Sequence, residues 1–427
     1  MTSMTTRKPD EPVRVAVIAA GVRGSHLAEQ VARVAPPGRV VAVAEPDDAR
    51  RARFAQTHHL SGHAQFTSWE SLCASERPFD AAIVATLDNQ HAAPVLACLR
   101  RGAHVLVEKP LADTVADCRL IEQAQRKAGV VVSVCHTLRY MEAFRRIKQI
   151  VAEGRLGHLI HVAHMESIDH LRFTHNYVRG RWAREADNTF LLLHKCCHDI
   201  DFIAWLVEAP CRQVSSFGSL GFFTPARAPA GSGTRCLGDC TLRDTCPYSA
   251  LRLYVDGDLT GRLQDLGAAE TRADRHAAVA HGPFGVCVWR AGNDVVDHQV
   301  VSMEFANGTT ATCTMSGYSA THGRRTRLQG TRGELVFDEA ADTLTIRDFG
   351  GKPPETISLP RPLAYHPEDR DIVANWLAAI HDATTDVAVD AHEALRTHAI
   401  VFAAEQSRRE GRTVALPEDG GRPPDAR

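Results

Sequence analysis

The stretch Val13-Arg14-Val15-Ala16-Val17-Ile18-Ala19-Ala20-Gly21-Val22-Arg23-Gly24 decides the fold. Val13 to Ile18 is a short apolar run without helical periodicity, which reads as a buried strand. A turn over Gly21 to Gly24 follows, then a helix from Ser25 to Val34, ended by Pro36, Pro37 and Gly38. The glycine pattern is A-x-G-x-x-G, with Ala19 in the place of a first glycine. Gly21 lets the backbone approach a pyrophosphate, and Gly24 lets the helix pack closely on the strand. The helix N-terminus offers free N–H groups and the positive end of its dipole to an anion. Gly21, Val22, Arg23 and Gly24 are therefore the candidate phosphate contacts. A second strand, Val40 to Ala44, runs into Glu45, 21 residues after Gly24. An acid there hydrogen-bonds a ribose diol and repels a 2′-phosphate, so the pattern predicts NAD in preference to NADP.

Working outward, Ala81 to Ala85, Val105 to Val107 and Val130 to Val134 are further apolar strands, with helical patterns at His91 to Arg101 and Thr114 to Lys127. Strands alternating with helices of this length give parallel βαβ units and a doubly wound sheet. The pattern then changes. A helix near Ala143 to Ala152 precedes strand-like alternation at Leu159 to Glu166, Val214 to Leu220, Gln299 to Phe305, Thr309 to Ser316, Thr326 to Gln329, Glu334 to Phe337 and Thr343 to Ile346. Asn307-Gly308 is a hairpin signal, so this part is expected to be mainly antiparallel. Two helical patterns, Glu368 to Ala383 and His392 to Gly411, close the chain. The expected organisation is a flexible arm (1–12), an α/β Rossmann dinucleotide-binding domain (13–134), an α+β substrate and oligomerisation domain (135–415) and a disordered tail (416–427). The Gly-, Pro- and Cys-rich segment 222–283 is too long for an ordinary connection and reads as an insertion or lid.

The 427 residues suffice for two to three domains at ~150 residues each. A net charge of −2 leaves no basic field to hold nucleic acid or an anionic membrane. No apolar run approaches a membrane span and the start lacks a signal peptide's flanks, so a cytoplasmic protein is expected. Twelve cysteines in a reducing compartment argue against a disulfide framework. Cys98, Cys118, Cys135 and Cys313 lie singly in apolar stretches. Cys236, Cys240 and Cys246 fall within eleven residues of a loop-rich segment. They are candidates for a structural zinc that pins the loop, with a fourth ligand from Cys196, Cys197 or His281. An iron–sulfur cluster or three reduced thiols are the alternatives.

The segments Ala85-Thr86-Leu87-Asp88-Asn89-Gln90-His91-Ala92 and Gly102-Ala103-His104-Val105-Leu106-Val107-Glu108-Lys109-Pro110-Leu111 resemble the Gfo/Idh/MocA oxidoreductase family, whose hallmark is Glu-Lys-Pro after an apolar strand. His198-Asp199-Ile200-Asp201-Phe202-Ile203-Ala204-Trp205-Leu206 is similar to that family's histidine-aspartate helix. The resemblance implies a Rossmann domain, an open antiparallel C-terminal sheet, oxidation or reduction of polyols and sugars, and dimers or tetramers through that sheet. It also implies cofactor contacts at Thr86, Asp88, His91, Glu108 and Lys109. Lys195-Cys196-Cys197-His198-Asp199 resembles a subgroup that carries Arg139-Tyr140, Arg179-Gly180-Arg181-Trp182 and a Cys-Pro-Tyr segment. Arg139, Trp182 and Lys195 are thereby implied as substrate contacts. The family often has an aspartate four residues before the histidine; His194 stands there in this chain.

The residues themselves point the same way. Hydride transfer from an alcohol carbon to nicotinamide needs a base for the hydroxyl proton. Lys109 lies just beyond a strand's C-terminal end, where open α/β sheets bind ligands. His198 titrates near neutrality and is the second candidate. His194, at i, i+4 spacing from it, shares its face if the helix begins early enough. The expected function is an NAD-dependent dehydrogenase or reductase of a sugar, amino sugar or cyclitol. A glycosidase cycling a bound NAD, and a non-catalytic NAD-binding sensor, are the competing readings.

Overall fold

The computed structural model describes residues 11–267, 269–359 and 367–417. The expected arm and tail fall outside these residues over 1–10 and 418–427. Six strands form the first sheet: β1 (Val13–Ile18), β2 (Gly38–Ala44), β3 (Gln65–Phe66), β4 (Ala81–Val84), β5 (His104–Val107) and β6 (Val132–Val134). All pair in parallel, in the order β3-β2-β1-β4-β5-β6. The strands are apolar almost throughout because helices cover both faces. The strand order reverses between β1 and β4, which opens a crevice at their C-terminal ends.

The helices are α1 (Val22–Val31), α2 (Asp48–Thr57), α3 (Trp69–Ala74), α4 (Ala92–Arg100), α5 (Val115–Ala128), α6 (Glu142–Ala152), α7 (His170–Phe173), α8 (Leu191–Val207), α9 (Arg272–His281), α10 (Glu368–His381) and α11 (Ala391–Glu410). α1 begins at Val22, not at Ser25 as the pattern predicts, so Gly24 lies in its first turn. A Cβ on Gly24 would stand 2.0 Å from the Ala19 carbonyl oxygen, so only glycine fits this crossing of helix and loop. α2 escapes a periodicity reading because only Phe54 and Ala55 of its ten residues are buried.

One face of the first sheet packs Val95, Cys98, Leu99, Cys118 and Ile121 of α4 and α5, together with Ala391, Ala394 and Leu395 of α11. The other face packs Leu27, Ala28 and Val31 of α1 against Ile372, Val373, Trp376 and Leu377 of α10. The two closing helices thus return to the nucleotide-binding sheet.

The second sheet comprises β7 (Leu159–Asp169), β8 (Cys211–Ser219), β9 (His298–Phe305), β10 (Thr310–Ser319), β11 (Gly323–Gly330), β12 (Gly333–Asp338), β13 (Thr343–Asp348), β14 (Glu355–Ser358) and β15 (Val414–Ala415). Its order is β14-β13-β12-β11-β7-β10-β9-β8-β15. Pairing is antiparallel except between β7 and β10, which run parallel. Its inner face carries Val162, Ile168, Val301, Met303, Cys313, Met315 and Leu328 against α6, α8 and α11. Its outer face shows exposed Phe217 and Val300 as cross-strand neighbours. The segment 222–283 has a small core of its own, made of Cys236, Ala250, Leu253, Tyr254, Val255 and Val279. It docks where the Phe284 ring stacks on His175 at 4.6 Å. No helix among the described residues is long and apolar enough to cross a membrane.

Candidate active site

Gly21 is the N-cap of α1 without a side-chain cap bond, and the first turn holds no acidic residue. The first N–H groups of a helix have no intrahelical acceptor, and nothing lies within 4 Å of where a Gly21 Cβ would stand. That open, unneutralised helix end fits a dinucleotide diphosphate. Beside it, Glu45 is buried at the end of β2. Its Oε2 accepts from the Ala20 N–H, and its Oε1 accepts from the Asp47 N–H and Arg50 Nη2, each at 2.9 Å. The Glu45 carboxylate is therefore fixed beside the open end of α1. The Arg50 guanidinium next to it has no counterpart in the sequence reading.

Arg23 does not reach toward the loop's open side. Its Nε donates to Glu108 Oε1 at 2.7 Å, and its two other nitrogens donate to Asp369 of α10 at 2.8 Å. Glu108 Oε2 accepts from the Lys109 N–H at 3.1 Å. Burial pushes the Glu108 carboxyl up, but Arg23 and Lys109 overcome this and hold it below the usual range. His91 is fully buried and braces the same corner, with Nδ1 2.6 Å from the Pro110 carbonyl and Nε2 3.2 Å from that of Thr86. The Thr86 hydroxyl donates to the Gln90 carbonyl.

Lys109 Nζ donates to the backbone carbonyl of His194 at 2.6 Å. In an α-helix that carbonyl is also the acceptor for the amide of the residue four positions on, here His198. Because α8 begins at Leu191, His194 and His198 do share a face, and Lys109 meets it. His194 Nδ1 lies 2.6 Å from Asp88 Oδ2. Burial lowers the affinity of His194 for a proton, with Lys109 acting in the same direction, and Asp88 only partly opposes them. Asp88, although buried, is pulled down to about 2 by His194 and Lys109. The contact is therefore an ionised carboxylate accepting the Nδ1–H of a neutral imidazole, which leaves His194 Nε2 with a lone pair. Trp182 stacks on His194 at 5.0 Å, and Asn188 Oδ1 accepts from the Asp88 N–H. The Asp88–His194 pair and Asn188 were not foreseen from sequence.

His198 is half-buried, and its Nδ1 is buried without a hydrogen-bond partner. Burial pushes it well below an ordinary imidazole, reinforced by Lys109, His136, Arg324 and Lys195. Lys195 pairs at 2.9 Å with Glu166 of β7, which Arg324 of β11 meets at 3.1 Å. Arg324 also pairs with Asp199 at 2.6 Å. This buried network behind α8 is another feature that local sequence does not reveal. Arg139 is committed elsewhere: Nε and Nη2 donate to Asp201, Nη1 to the Ala388 carbonyl, and Nη2 also to Glu393.

The expectation of a structural zinc at Cys236, Cys240 and Cys246 is corrected. Among the described residues no group of three or more His, Cys, Asp or Glu side chains could hold a metal ion. The sulfurs meet protein donors instead. Cys236 Sγ accepts from the Ala250 N–H and Arg179 Nη2, and Cys246 Sγ accepts from the Tyr248 N–H. Cys196 and Cys197 are fully buried in the core of the second sheet.

Comparison with known proteins agrees with this geometry. Residues 13–136 match the NAD-binding Rossmann fold of the Gfo/Idh/MocA oxidoreductase family, and residues 148–416 match that family's C-terminal alpha/beta domain. The chain belongs to this family. It is 32% identical over 186 residues to 1,5-anhydro-D-fructose reductase of Ensifer adhaerens, covering 43% of this chain and 54% of that protein. It is 30% identical over 215 residues to inositol 2-dehydrogenase of Rubrobacter xylanophilus, covering 49% and 56%. The chain thus spans about half the length of these curated relatives. An oxidoreductase from Agrobacterium radiobacter, solved with NAD+, L-tartaric acid and magnesium, shares the fold with a TM-score of 0.70 at 14% identity, covering 95% of this chain and 98% of that one.

Proposed function

We propose that this chain is an NAD(P)-dependent dehydrogenase or reductase acting at a CH–OH carbon of a sugar, amino sugar or cyclitol, with NAD preferred. The observation that carries the reading is the Lys109 ammonium seated on the His194 carbonyl, at the helix face that also presents His198. The names of the reductase and the inositol dehydrogenase matched above support the substrate class. Glu45 supports NAD, and Gly21, Val22 and Gly24 are the contacts proposed for the diphosphate. The bound nicotinamide supplies the hydride acceptor or donor.

The remaining chemistry belongs to the chain. His198, held neutral by its surroundings, accepts the hydroxyl proton as the carbonyl forms. The Lys109 ammonium donates to the same oxygen and stabilises the charge that develops there. His194 Nε2 accepts from a neighbouring substrate hydroxyl, and Trp182 packs against the carbon skeleton. Lys195, tethered by Glu166, lines the far side. Arg139 acts in this proposal as a strut between α8 and α11. The outer face of the second sheet, with exposed Phe217 and Val300, is the surface proposed for a homodimer or homotetramer.

The test is NADH or NADPH fluorescence of the purified protein with a panel of sugars, amino sugars and cyclitols. Reduced cofactor should accumulate with one class, faster with NAD. Lys109→Ala should slow turnover by about a hundredfold or more, with cofactor affinity little changed. Unaltered turnover in that variant would remove Lys109 from the reaction.

A further inference from the structure

The proposed base, His198, has a second histidine behind it. β5 and β6 pair in parallel with Val107 opposite Val134, so the residues beyond their ends run side by side. Lys109 and His136 are neighbours for that reason. His136 is completely buried, and neither of its ring nitrogens has a hydrogen-bond partner. An imidazole left in this way is destabilising, a cost that packing alone does not require.

Its surroundings are specific. The His136 ring stands nearly perpendicular to that of His198, at 86° and 5.4 Å between centroids. Two imidazoles joined by an N–H···N bond of about 2.9 Å span close to this separation, so the rings are spaced for such a bond once the two nitrogens face one another. His198 Nδ1 is likewise buried and unpartnered. On its other side His136 Nδ1 lies 3.8 Å from the Asp201 carboxylate, too far for a hydrogen bond but a negative charge that favours the proton of the neutral ring on Nδ1 and Nε2 as the acceptor. His398, edge-on to His136 at 5.5 Å, accepts the Leu111 N–H through Nε2, which puts its own proton on a buried and unpartnered Nδ1; of the two histidines beside His136, only His198 also lies on the helix face that Lys109 meets. The charged groups facing the pair are Lys109, Lys195 and Arg324 around His198, and Asp201, Arg139, Lys109 and Glu108 around His136.

We infer that His136 is the positioning residue of His198, accepting a hydrogen bond from its Nδ1–H and so fixing the tautomer in which Nε2 faces the cleft as the base. This rests on the proposed function above. When Nε2 takes the substrate's hydroxyl proton, the charge on His198 is shared with His136: the Nδ1–H bond of His198 lengthens or breaks as an Nε2–H bond on His136 forms. The reverse shift restores both rings. Asp201 faces the resulting positive charge.

The test is nitrogen NMR of the protein labelled with 15N-histidine, with and without NAD, the His198 signals being assigned through His198→Gln. In the wild type His198 should hold its proton on Nδ1 across the neutral range. In His136→Phe it should become a mixture of tautomers, and His136→Gln, whose amide oxygen can accept, should restore the single form. With a substrate in hand, the Phe variant should lose about tenfold or more in kcat with KM nearly unchanged and a displaced pH profile. An identical His198 tautomer in wild type and in both variants overturns the inference, even if polyol oxidation is found. A tautomer that depends on His136 in a protein that oxidises no polyol upholds the pairing and overturns the substrate reading instead.

Discussion

Arg23 joins the cofactor loop to the lysine loop, and replacing it with methionine tests the electrostatics of that joint. Glu108 is 7% exposed and accepts from Arg23 at 2.7 Å. Burial raises its carboxyl, while Arg23 and then Lys109 lower it, with a net depression. A depressed carboxyl contributes stability that is complete above its unfolded value of about 4.3 and is lost as pH falls through the folded value. In Arg23→Met the main opposing charge is gone, and burial takes the folded value above about 4.3. The sign then reverses: the charged form is penalised, and the penalty grows as pH rises through the new value. Removing one partner of a buried pair costs roughly 3–5 kcal/mol. The Arg23 side chain is 25% exposed and Lys109 remains nearby, so the deficit should sit near the lower end, about 3 kcal/mol at pH 8. It should shrink by about 1.4 kcal/mol for each pH unit over which Glu108 takes up its proton. Urea unfolding of wild type and variant at pH 5 and pH 8 measures this, and Arg23→Met combined with Glu108→Gln closes the cycle. An equal deficit at both pH values would show that Arg23 does not hold Glu108 charged.

Two further outcomes are expected. Asp88→Asn removes the carboxylate that fixes the His194 tautomer, so His194 loses its hold on the neighbouring substrate hydroxyl and kcat/KM should fall by about tenfold to a hundredfold; NAD titration should show little change, and unchanged kcat/KM would place Asp88 outside the reaction. Ala19 adopts φ +71°, a conformation that costs an L-residue roughly 1–2 kcal/mol, whereas glycine loses only about 0.4–1 kcal/mol through the unfolded chain. Ala19→Gly should therefore stabilise the protein by about 0.5–1 kcal/mol in the same urea assay, and a destabilised variant would contradict the strain argument.

The nucleotide-binding half was legible because its signals are local. Buried parallel strands must be apolar along their whole length, and the crossing at Gly24 admits nothing larger than hydrogen. The strands of the second domain were legible from alternation, since one face meets α8 and the other does not. Where the closing helices go was not: an amphipathic stripe states that a helix is covered and not by what, so α10 and α11 could be found while their packing on the first sheet could not. The site divides in the same way. Lys109 and His198 are marked by local motifs, but the bonds that define their setting join Lys109 to His194 across 85 residues and His194 to Asp88 across 106. No periodicity reports on such a pair.

The cysteine segment misled for the opposite reason, because close spacing along a loop says nothing of whether three sulfurs converge, and Arg179 and backbone amides occupy two of them. Arg139 shows the same limit, since a motif shared with a subgroup implies a ligand contact until Asp201 and Glu393 are seen to take the charge. Yet the positional rule itself reaches further than its first use. Lys109 is a polar residue just past the C-terminal end of β5, and the end of β6 carries a counterpart. That counterpart is His136, one strand over, buried beside the proposed base His198.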